Sequence, residues 1–210
     1  MYGIKNSIRI SLVCIFFLNC YTSSKPNNSL ILALLNMRTQ NNQIQISLIG
    51  DSLAERSNSF DLQNRLGASF KLNSYTISGR SSLDWLIDIN RIFQTPADII
   101  IIELGINDAY REYNFDEVYS RLISELEIKF QARLILATMP LTNEISIQAR
   151  IKKNNETIRA KSNRYKISDL EKVFEEAKSQ ILFPPTDPIH PTSIGYELIG
   201  EKFKLDILNR

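Results

Sequence analysis

The sequence predicts an α/β protein: a three-layer α/β/α domain built on a five-stranded parallel sheet. Apolar, β-branched runs alternate with segments of helical periodicity, an order typical of parallel sheets covered by helices. The strongest run, Asp98–Leu104, carries four consecutive isoleucines and ends at Gly105, as expected for a central strand buried on both faces. Connections between such strands are expected to be right-handed.

Each predicted strand is a short apolar or β-branched run. In chain order, the predicted strands are Ile44–Ile49, Leu72–Ile77, Asp98–Leu104, Arg133–Met139 and Tyr165–Leu170. The first ends at Gly50 and the fourth at Pro140, residues that commonly terminate strands.

Helical periodicity follows several of these strands. Apolar residues recur on one helical face from Val118 to Phe130, and again from Leu170 to Ala177. Pro191 suits the first turn of a last helix, where a missing N–H costs nothing, and that helix would carry apolar residues from Ile194 to Phe203. Strands and helices together predict a single domain over residues 44–210.

The N-terminus differs from this domain and predicts export. Lys5 and Arg9 precede the apolar run Ile10–Leu18, which fits the core of a signal peptide. The run is too short for a mature membrane-spanning helix, which needs about 20 residues. Cys20 then resembles the lipidated cysteine of bacterial lipoproteins, in the looser spirochaetal form, although positions 17 and 19 depart from the usual pattern.

We therefore expect a signal peptide over residues 1–20 with Cys20 as its candidate lipidation site, followed by a polar tether over residues 21–43. The protein would then lie in the cell envelope, held to a membrane by an N-terminal lipid. An uncleaved anchor and a signal peptide cut slightly later are the alternatives.

Composition excludes several classes of function. Both cysteines, Cys14 and Cys20, precede the domain, and His190 is the only histidine, so neither a disulfide framework nor a structural zinc site is expected. Basic and acidic residues are interspersed with a net charge of +2, which does not indicate a nucleic-acid partner. Glycine-rich nucleotide-binding motifs are missing, so no nucleotide or other cofactor is predicted. The G-x-S-x-G motif is also missing, which argues against the α/β-hydrolase family.

Several chemically useful residues fall at one edge of the predicted sheet. Ser52, Gly79 and Asn107 follow the first three strands, and ligands of parallel sheets bind beyond the carboxyl ends of the strands. Asp187 and His190 lie in the loop before the last helix, which can return to the same edge.

Four motifs in this order resemble the conserved blocks of the GDSL/SGNH hydrolases. They are Gly50-Asp51-Ser52-Leu53, Gly79, Gly105-Ile106-Asn107-Asp108 and Asp187-Pro188-Ile189-His190-Pro191. The resemblance covers residues 44 to about 203. It implies a flavodoxin-like fold and esterase or lipase-type hydrolysis through a Ser-His-Asp triad, without a metal or other cofactor.

The resemblance also implies a role for each residue. Ser52 would be the nucleophile, His190 its base and Asp187 the group that orients the base. The oxyanion hole would consist of the Ser52 N–H, the Gly79 N–H and the side-chain amide of Asn107.

Elementary chemistry agrees with these roles. An imidazole with an ordinary pKa near about 6.5 can take the proton of a serine hydroxyl at neutral pH, and a carboxylate can fix its tautomer. An amide can donate to an oxyanion without carrying charge itself. Gly79 lacks a Cβ, so its backbone can approach a substrate closely.

Each residue also has a purely structural interpretation. Ser52 could cap the following helix, Asn107 and Asp108 could be turn residues, and His190 could be a solvated loop residue. We assign structural roles to Asp51 and Asp108. The side chains without an assigned catalytic role are Trp85 and Tyr110, expected in the core or at the rim, and Arg80, expected to face solvent or bind an anion.

Two classes of function follow. The first is an envelope-anchored carboxylester hydrolase that releases a short acyl group, such as acetate from a glycan; a lysophospholipase or thioesterase is its close relative. The second is a catalytically inactive surface lipoprotein that binds a ligand in the same cleft. The expected partners are thus a small-molecule, glycan or lipid ester and a membrane.

Overall fold

The computed structural model describes residues 43–209. The predicted signal peptide, its Cys20 and nearly all of the predicted tether lie outside this range. Within it, every helix is too short or too polar to span a lipid bilayer.

The centre of the fold is a sheet of five parallel strands. The strands are β1 (Ile44–Gly50), β2 (Phe70–Thr76), β3 (Ile99–Glu103), β4 (Arg133–Ala137) and β5 (Lys166–Ser168). They lie in the order β2-β1-β3-β4-β5, and every neighbouring pair is parallel. This is the strand order of flavodoxin-like folds, so the predicted fold class is confirmed.

Within residues 43–209, seven α-helices connect or flank the strands. They are α1 (Ser52–Arg56), α2 (Leu62–Leu66), α3 (Ser82–Ile87), α4 (Phe115–Lys129), α5 (Ile145–Arg159), α6 (Leu170–Glu176) and α7 (Ser193–Leu208), with 3-10 turns at Ser59–Asp61, Ile89–Gln94 and Asp108–Tyr110.

The core consists of two apolar layers, one on each face of the sheet. Ile99 and Ile101 of β3 belong to the layer that packs on α1, α2, α6 and α7, whereas Ile100 and Ile102 belong to the layer under α3 and α4. Because these four side chains are all buried, β3 is covered on both faces. This confirms the three-layer arrangement predicted from its isoleucine run.

Helix α5 is the largest element that the sequence did not indicate. Only Ile147, Ile151 and Ile158 are its buried apolar residues, and it also buries Asn154 and Asn155. The Asn155 side chain pairs with the backbone of Met139 after β4, accepting at 2.7 Å and donating at 2.8 Å. Because two of its five buried residues are asparagines, α5 has only a weak apolar stripe, which the sequence does not reveal.

Two predicted boundaries also shift because of caps. The last helix begins at Ser193, with Thr192 as its N-cap, rather than at Pro191. The fifth strand is only Lys166–Ser168, because the Asp169 side chain accepts the N–H of Lys172 and begins α6.

Candidate active site

The turn from β1 into α1 places Ser52 at the carboxyl edge of the sheet. A Cβ on Gly50 would lie 2.8 Å from the Ala54 Cβ and 2.9 Å from Oε2 of Glu103, so glycine is required for this close turn. Asp51 caps α1, since its Oδ1 accepts the Leu53 N–H at 2.9 Å. The capping role that Ser52 could have filled therefore belongs to Asp51, and the Ser52 hydroxyl is available for other contacts.

A chain of hydrogen bonds joins Ser52, His190 and Asp187. Oγ of Ser52 lies 2.9 Å from Nε2 of His190, and the Asp187 carboxylate lies 2.8 and 2.9 Å from Nδ1. Burial opposes ionisation of Asp187, but the backbone N–H groups of His190 and Ile189 outweigh it, so the pKa of Asp187 is below its usual value. An ionised Asp187 accepts the Nδ1 proton and leaves Nε2 free to accept from Ser52.

The loop that carries His190 is tied to the domain on both sides. The Asn143 N–H donates to the carbonyl of Pro188 at 2.7 Å, and the Thr192 N–H donates to the carbonyl of Leu182 at 2.8 Å. The first contact joins the loop to the segment after β4, and the second joins the residue before α7 to Leu182. His190 of this loop meets Ser52, which lies 138 positions earlier in the chain.

Gly79 lies beside this edge with an exposed backbone. Its φ of +79° is a conformation that favours glycine, and no atom lies within 4 Å of the position of a Cβ. Among residues 43–209, no group accepts its N–H. The Ser52 N–H belongs to the first turn of α1, where helix donors have no partner within the helix.

Asn107 follows β3, the strand next to β1. Its Nδ2 donates to Oδ2 of Asp51 at 2.8 Å and to the Arg80 carbonyl at 3.1 Å. Two acceptors on one nitrogen fix the orientation of the amide, because a flipped amide would set its oxygen against the Arg80 carbonyl. The structure thus brings Asn107 between the turn that carries Ser52 and the loop that carries Gly79.

Three buried carboxyl groups lie behind these residues. Burial, with the charge of Asp108, raises the pKa of Asp51 to about 7, and burial also raises the pKa of Asp108. The pKa of Glu103 is raised well above its usual value, first by burial and then by Asp51. Within residues 43–209, none of the three forms an ion pair with a cation.

Glu103 is a buried residue of the site that the sequence motifs do not indicate. Neither of its carboxyl oxygens meets hydrogen-bond geometry with a described residue, although the Asp51 N–H partly offsets the rise of its pKa. The available signal was one acidic residue at the end of an isoleucine run, directly before the Gly105 motif.

The remaining residues singled out from the sequence lie around the site. Trp85 is fully buried and donates to the Gly50 carbonyl at 3.1 Å, whereas Tyr110 is 45% exposed. The Arg80 guanidinium lies 4.5 Å from the centre of the Trp85 ring and 2.9 Å from Asp88. Arg80 is therefore largely buried, and its charge is paired with Asp88.

A cleft of about 600 Å³ opens beside Gly79. Among the candidate site residues, Gly79 alone lines this cleft, and the charged lining residues are Arg80, Asp84, Asp88 and Arg111. A second cleft of about 620 Å³, between α5 and α6, contains none of the candidate catalytic residues. In the described part of the chain, no cluster of three or more His, Cys, Asp or Glu side chains is arranged to hold a metal ion.

The part of the chain that carries this site matches a known protein family. The sequence model of the GDSL-like Lipase/Acylhydrolase family matches residues 48–198, a range that includes all four motifs. The chain belongs to this family. As a GDSL-like protein it is a hydrolase, and the general chemistry of the family is ester hydrolysis.

Solved structures with the same fold include several GDSL proteins. A lipolytic G-D-S-L protein from Veillonella parvula is 23% identical, with a TM-score of 0.60 over 80% of this chain and 99% of that one. The lipase/acylhydrolase from Enterococcus faecalis is 21% identical, with a TM-score of 0.63 over 79% and 95% of the two chains. An acetyl xylan esterase from Geobacillus stearothermophilus is 17% identical, with a TM-score of 0.64 over 79% and 94%.

At these identities the likeness concerns the fold alone. No curated protein sequence matches this GDSL-like chain.

Proposed function

We propose that this GDSL-like hydrolase cleaves carboxylic esters through Ser52, His190 and Asp187. The observation that supports this most directly is the continuous hydrogen-bond chain from Oγ of Ser52 through the imidazole to the Asp187 carboxylate. A binding protein without activity has no need of this arrangement. The ester carbonyl would lie against Ser52, on the side that faces Gly79.

The reaction would proceed in two halves. Oγ of Ser52 attacks the ester carbon while its proton passes to Nε2 of His190. The tetrahedral intermediate collapses, and the proton moves from Nε2 to the departing alcohol oxygen. Water, deprotonated by the same nitrogen, then attacks the acyl-serine, and the acid leaves as Oγ regains a proton.

Three donors would stabilise the oxyanion of each intermediate. No group in residues 43–209 accepts the N–H of Ser52 or of Gly79. The substrate oxygen would replace the Arg80 carbonyl as an acceptor from Asn107. Asp51 would keep the second N–H of that amide in place. Donors fixed before the substrate arrives are the main source of rate in such sites.

A short acyl group on a hydrophilic alcohol is the substrate class that we favour, such as acetate on a glycan. The cleft beside Gly79 has two arginines and two aspartates in its lining, which suits a hydroxyl-rich ligand better than a long alkyl chain. One structure of similar fold is an acetyl xylan esterase. A lysophospholipase, a thioesterase and an inactive binding lipoprotein are the competing functions.

We also propose that the protein is exported and anchored in the cell envelope by a lipid on Cys20. The support is the basic and apolar N-terminal sequence that ends at this cysteine. Cell fractionation of wild type and Cys20→Ala tests the anchor. Release of the variant from the membrane supports it, and a wild-type protein that is already soluble contradicts it.

The activity is tested with p-nitrophenyl esters from acetyl to long acyl chains, using wild type and Ser52→Ala. We expect hydrolysis of the short esters, lost in the variant, and a Ser52-dependent label from a fluorophosphonate. Preference for long chains would favour a lipid substrate. Folded wild type that neither hydrolyses the esters nor takes up the label would favour the binding lipoprotein.

A further inference from the structure

Two oppositely charged residues follow the nucleophile on the short helix α1. Glu55 and Arg56 are consecutive and exposed, yet each contacts a different half of the candidate site. Glu55 contacts the loop of Gly79, and Arg56 contacts the carboxylate of Asp187.

Glu55 holds the residue directly before Gly79. Its Oε2 accepts the backbone N–H of Ser78 at 2.9 Å and also accepts the Ser78 hydroxyl. These two bonds hold the pKa of Glu55 below its usual value, and the bond from the Ser78 hydroxyl has the larger effect. The carboxylate is therefore ionised, and both hydrogen bonds are charge-assisted. Because Ser78 and Gly79 share a peptide unit, Glu55 fixes where the Gly79 N–H lies relative to Ser52.

Arg56 holds the other end of the site. Its Nη1 donates at 3.2 Å to Oδ2 of Asp187, the oxygen that lies 2.8 Å from Nδ1 of His190. The charged and titratable groups that interact with Asp187 are His190 on its own loop, Arg56 on α1 and Tyr196 on α7. Arg56 is thus a cation in contact with the carboxylate that faces the imidazole.

We infer that Glu55 and Arg56 are positioning residues of the hydrolytic reaction, Glu55 for the oxyanion hole and Arg56 for the Asp187–His190 pair. With Asp51, the cap of α1 that binds Asn107, they connect one five-residue helix to every part of the site. This inference rests on the proposed function.

Exposed charge pairs that only stabilise the fold can be distinguished from positioning residues by comparing thermal stability with reaction rate. Exposed pairs contribute little to the free energy of unfolding. A displaced oxyanion donor instead lowers the rate, and a displacement of about 1 Å can cost about 100-fold. Activity that falls at unchanged thermal stability therefore identifies positioning.

Glu55→Ala and Glu55→Gln test the first contact. For p-nitrophenyl acetate we expect kcat to fall about 10-fold in Glu55→Ala with KM nearly unchanged, and less in Glu55→Gln, which keeps one acceptor oxygen. Glu176→Ala is the matched control, because the pair that Glu176 forms with Lys172 on α6 is exposed. A Glu55→Ala variant with the kcat of this control overturns the role of Glu55.

Arg56→Ala and Arg56→Lys test the second contact through the pH profile of kcat/KM. Removing the cation leaves the Asp187 charge fully available to a protonated imidazole, so the acidic limb should move to higher pH by about 0.2 to 0.7 pH units. Arg56→Lys should retain the wild-type limb, as should the control Lys172→Ala. If the acidic limb of the pH profile is unchanged in Arg56→Ala, the role of Arg56 is overturned, regardless of the maximal value of kcat/KM.

Wild type in the same assays separates the two levels of this proposal. An active wild type with unaffected variants overturns the positioning roles and leaves the proposed function standing. A folded wild type without ester hydrolysis or Ser52-dependent labelling overturns both.

Discussion

At the scale of single residues, the main feature of the site is the carboxyl group of Glu103, which has no hydrogen-bond partner among residues 43–209. Glu103 is fully buried under Gly50, and neither oxygen meets hydrogen-bond geometry with a described residue. Two buried carboxyls that interact do not both ionise at neutral pH, and Asp51 has the better hydrogen-bond donors in Leu53 and Asn107. Glu103 is therefore the member of the pair that keeps its proton.

Glu103→Gln should stabilise the protein increasingly as the pH rises. The pKa of Glu103 is raised in the folded state from its ordinary value of 4.5, so the unfolded chain releases a proton that the folded chain retains. This residue thus lowers the free energy of unfolding as pH rises above about 4.5. Urea denaturation at pH 5 and pH 8 measures the effect, and an equal difference between variant and wild type at both values contradicts it.

Asn107→Ala should lower kcat for p-nitrophenyl acetate by about 10² to 10³-fold with little change in KM, because an oxyanion donor acts mainly in the transition state. Circular dichroism checks that the variant is folded. A kcat within a few-fold of wild type would remove Asn107 from the oxyanion hole and leave its contact with Asp51 as a structural one.

At the scale of elements, α7 depends on a close approach to the segment before α2. A Cβ on Gly200 would lie 2.6 Å from the Phe60 carbonyl oxygen and 2.6 Å from Nε of Arg65. Arg65 binds that carbonyl at 2.8 Å and pairs with Glu197 and Glu201 of α7. Glycine at position 200 lets these contacts form, and α7 in turn follows the loop that carries His190.

Gly200→Ala should therefore destabilise the fold by about 1 to 3 kcal/mol, the usual cost of overpacking, although alanine is the better helix former. Leu205→Ala, at a 53% exposed position of the same helix, is the control and should stay near wild type. Thermal denaturation of both variants gives the comparison. A stabilised Gly200→Ala would show that the neighbouring backbone moves apart easily.

Elements differ in how far their sequence identifies them. The isoleucine run of β3 and the apolar face of α4 consist of buried apolar side chains, which form a recognisable pattern in the sequence. Both elements were therefore predicted. Helix α5 was not, because Asn154 donates to the Gly105 carbonyl at 3.0 Å and Asn155 binds Met139. Both bonds join α5 to loops after other strands, and the local sequence carries no sign of them.

At the scale of the whole molecule, the parallel sheet decides where the site forms. Ser52, Gly79 and Asn107 follow β1, β2 and β3, which are neighbours in the sheet. Parallel strands end at one edge, so residues far apart in the chain meet there without any dedicated element. The loop before α7 adds His190 and Asp187 to that edge.

A shortened protein that begins at Gln40 should fold and hydrolyse p-nitrophenyl acetate with the kcat/KM of the full chain. All five strands, both core layers and every candidate catalytic residue lie within residues 44–208. Thermal unfolding and ester hydrolysis of the two proteins make the comparison. A shortened protein that folds but has lost activity would assign a catalytic contribution to the N-terminal segment.

The sequence by itself determined the fold class and the candidate triad, because hydrophobic periodicity and four short motifs are local properties of the chain. Only the tertiary structure decided that Glu103 is buried away from solvent and that Arg80 pairs with Asp88. It also decided which loops Glu55 and Arg56 contact. The Arg56–Asp187 contact spans 131 positions. Burial and charge pairing of this kind depend on which segments pack together, and that information appears only when the chain has folded.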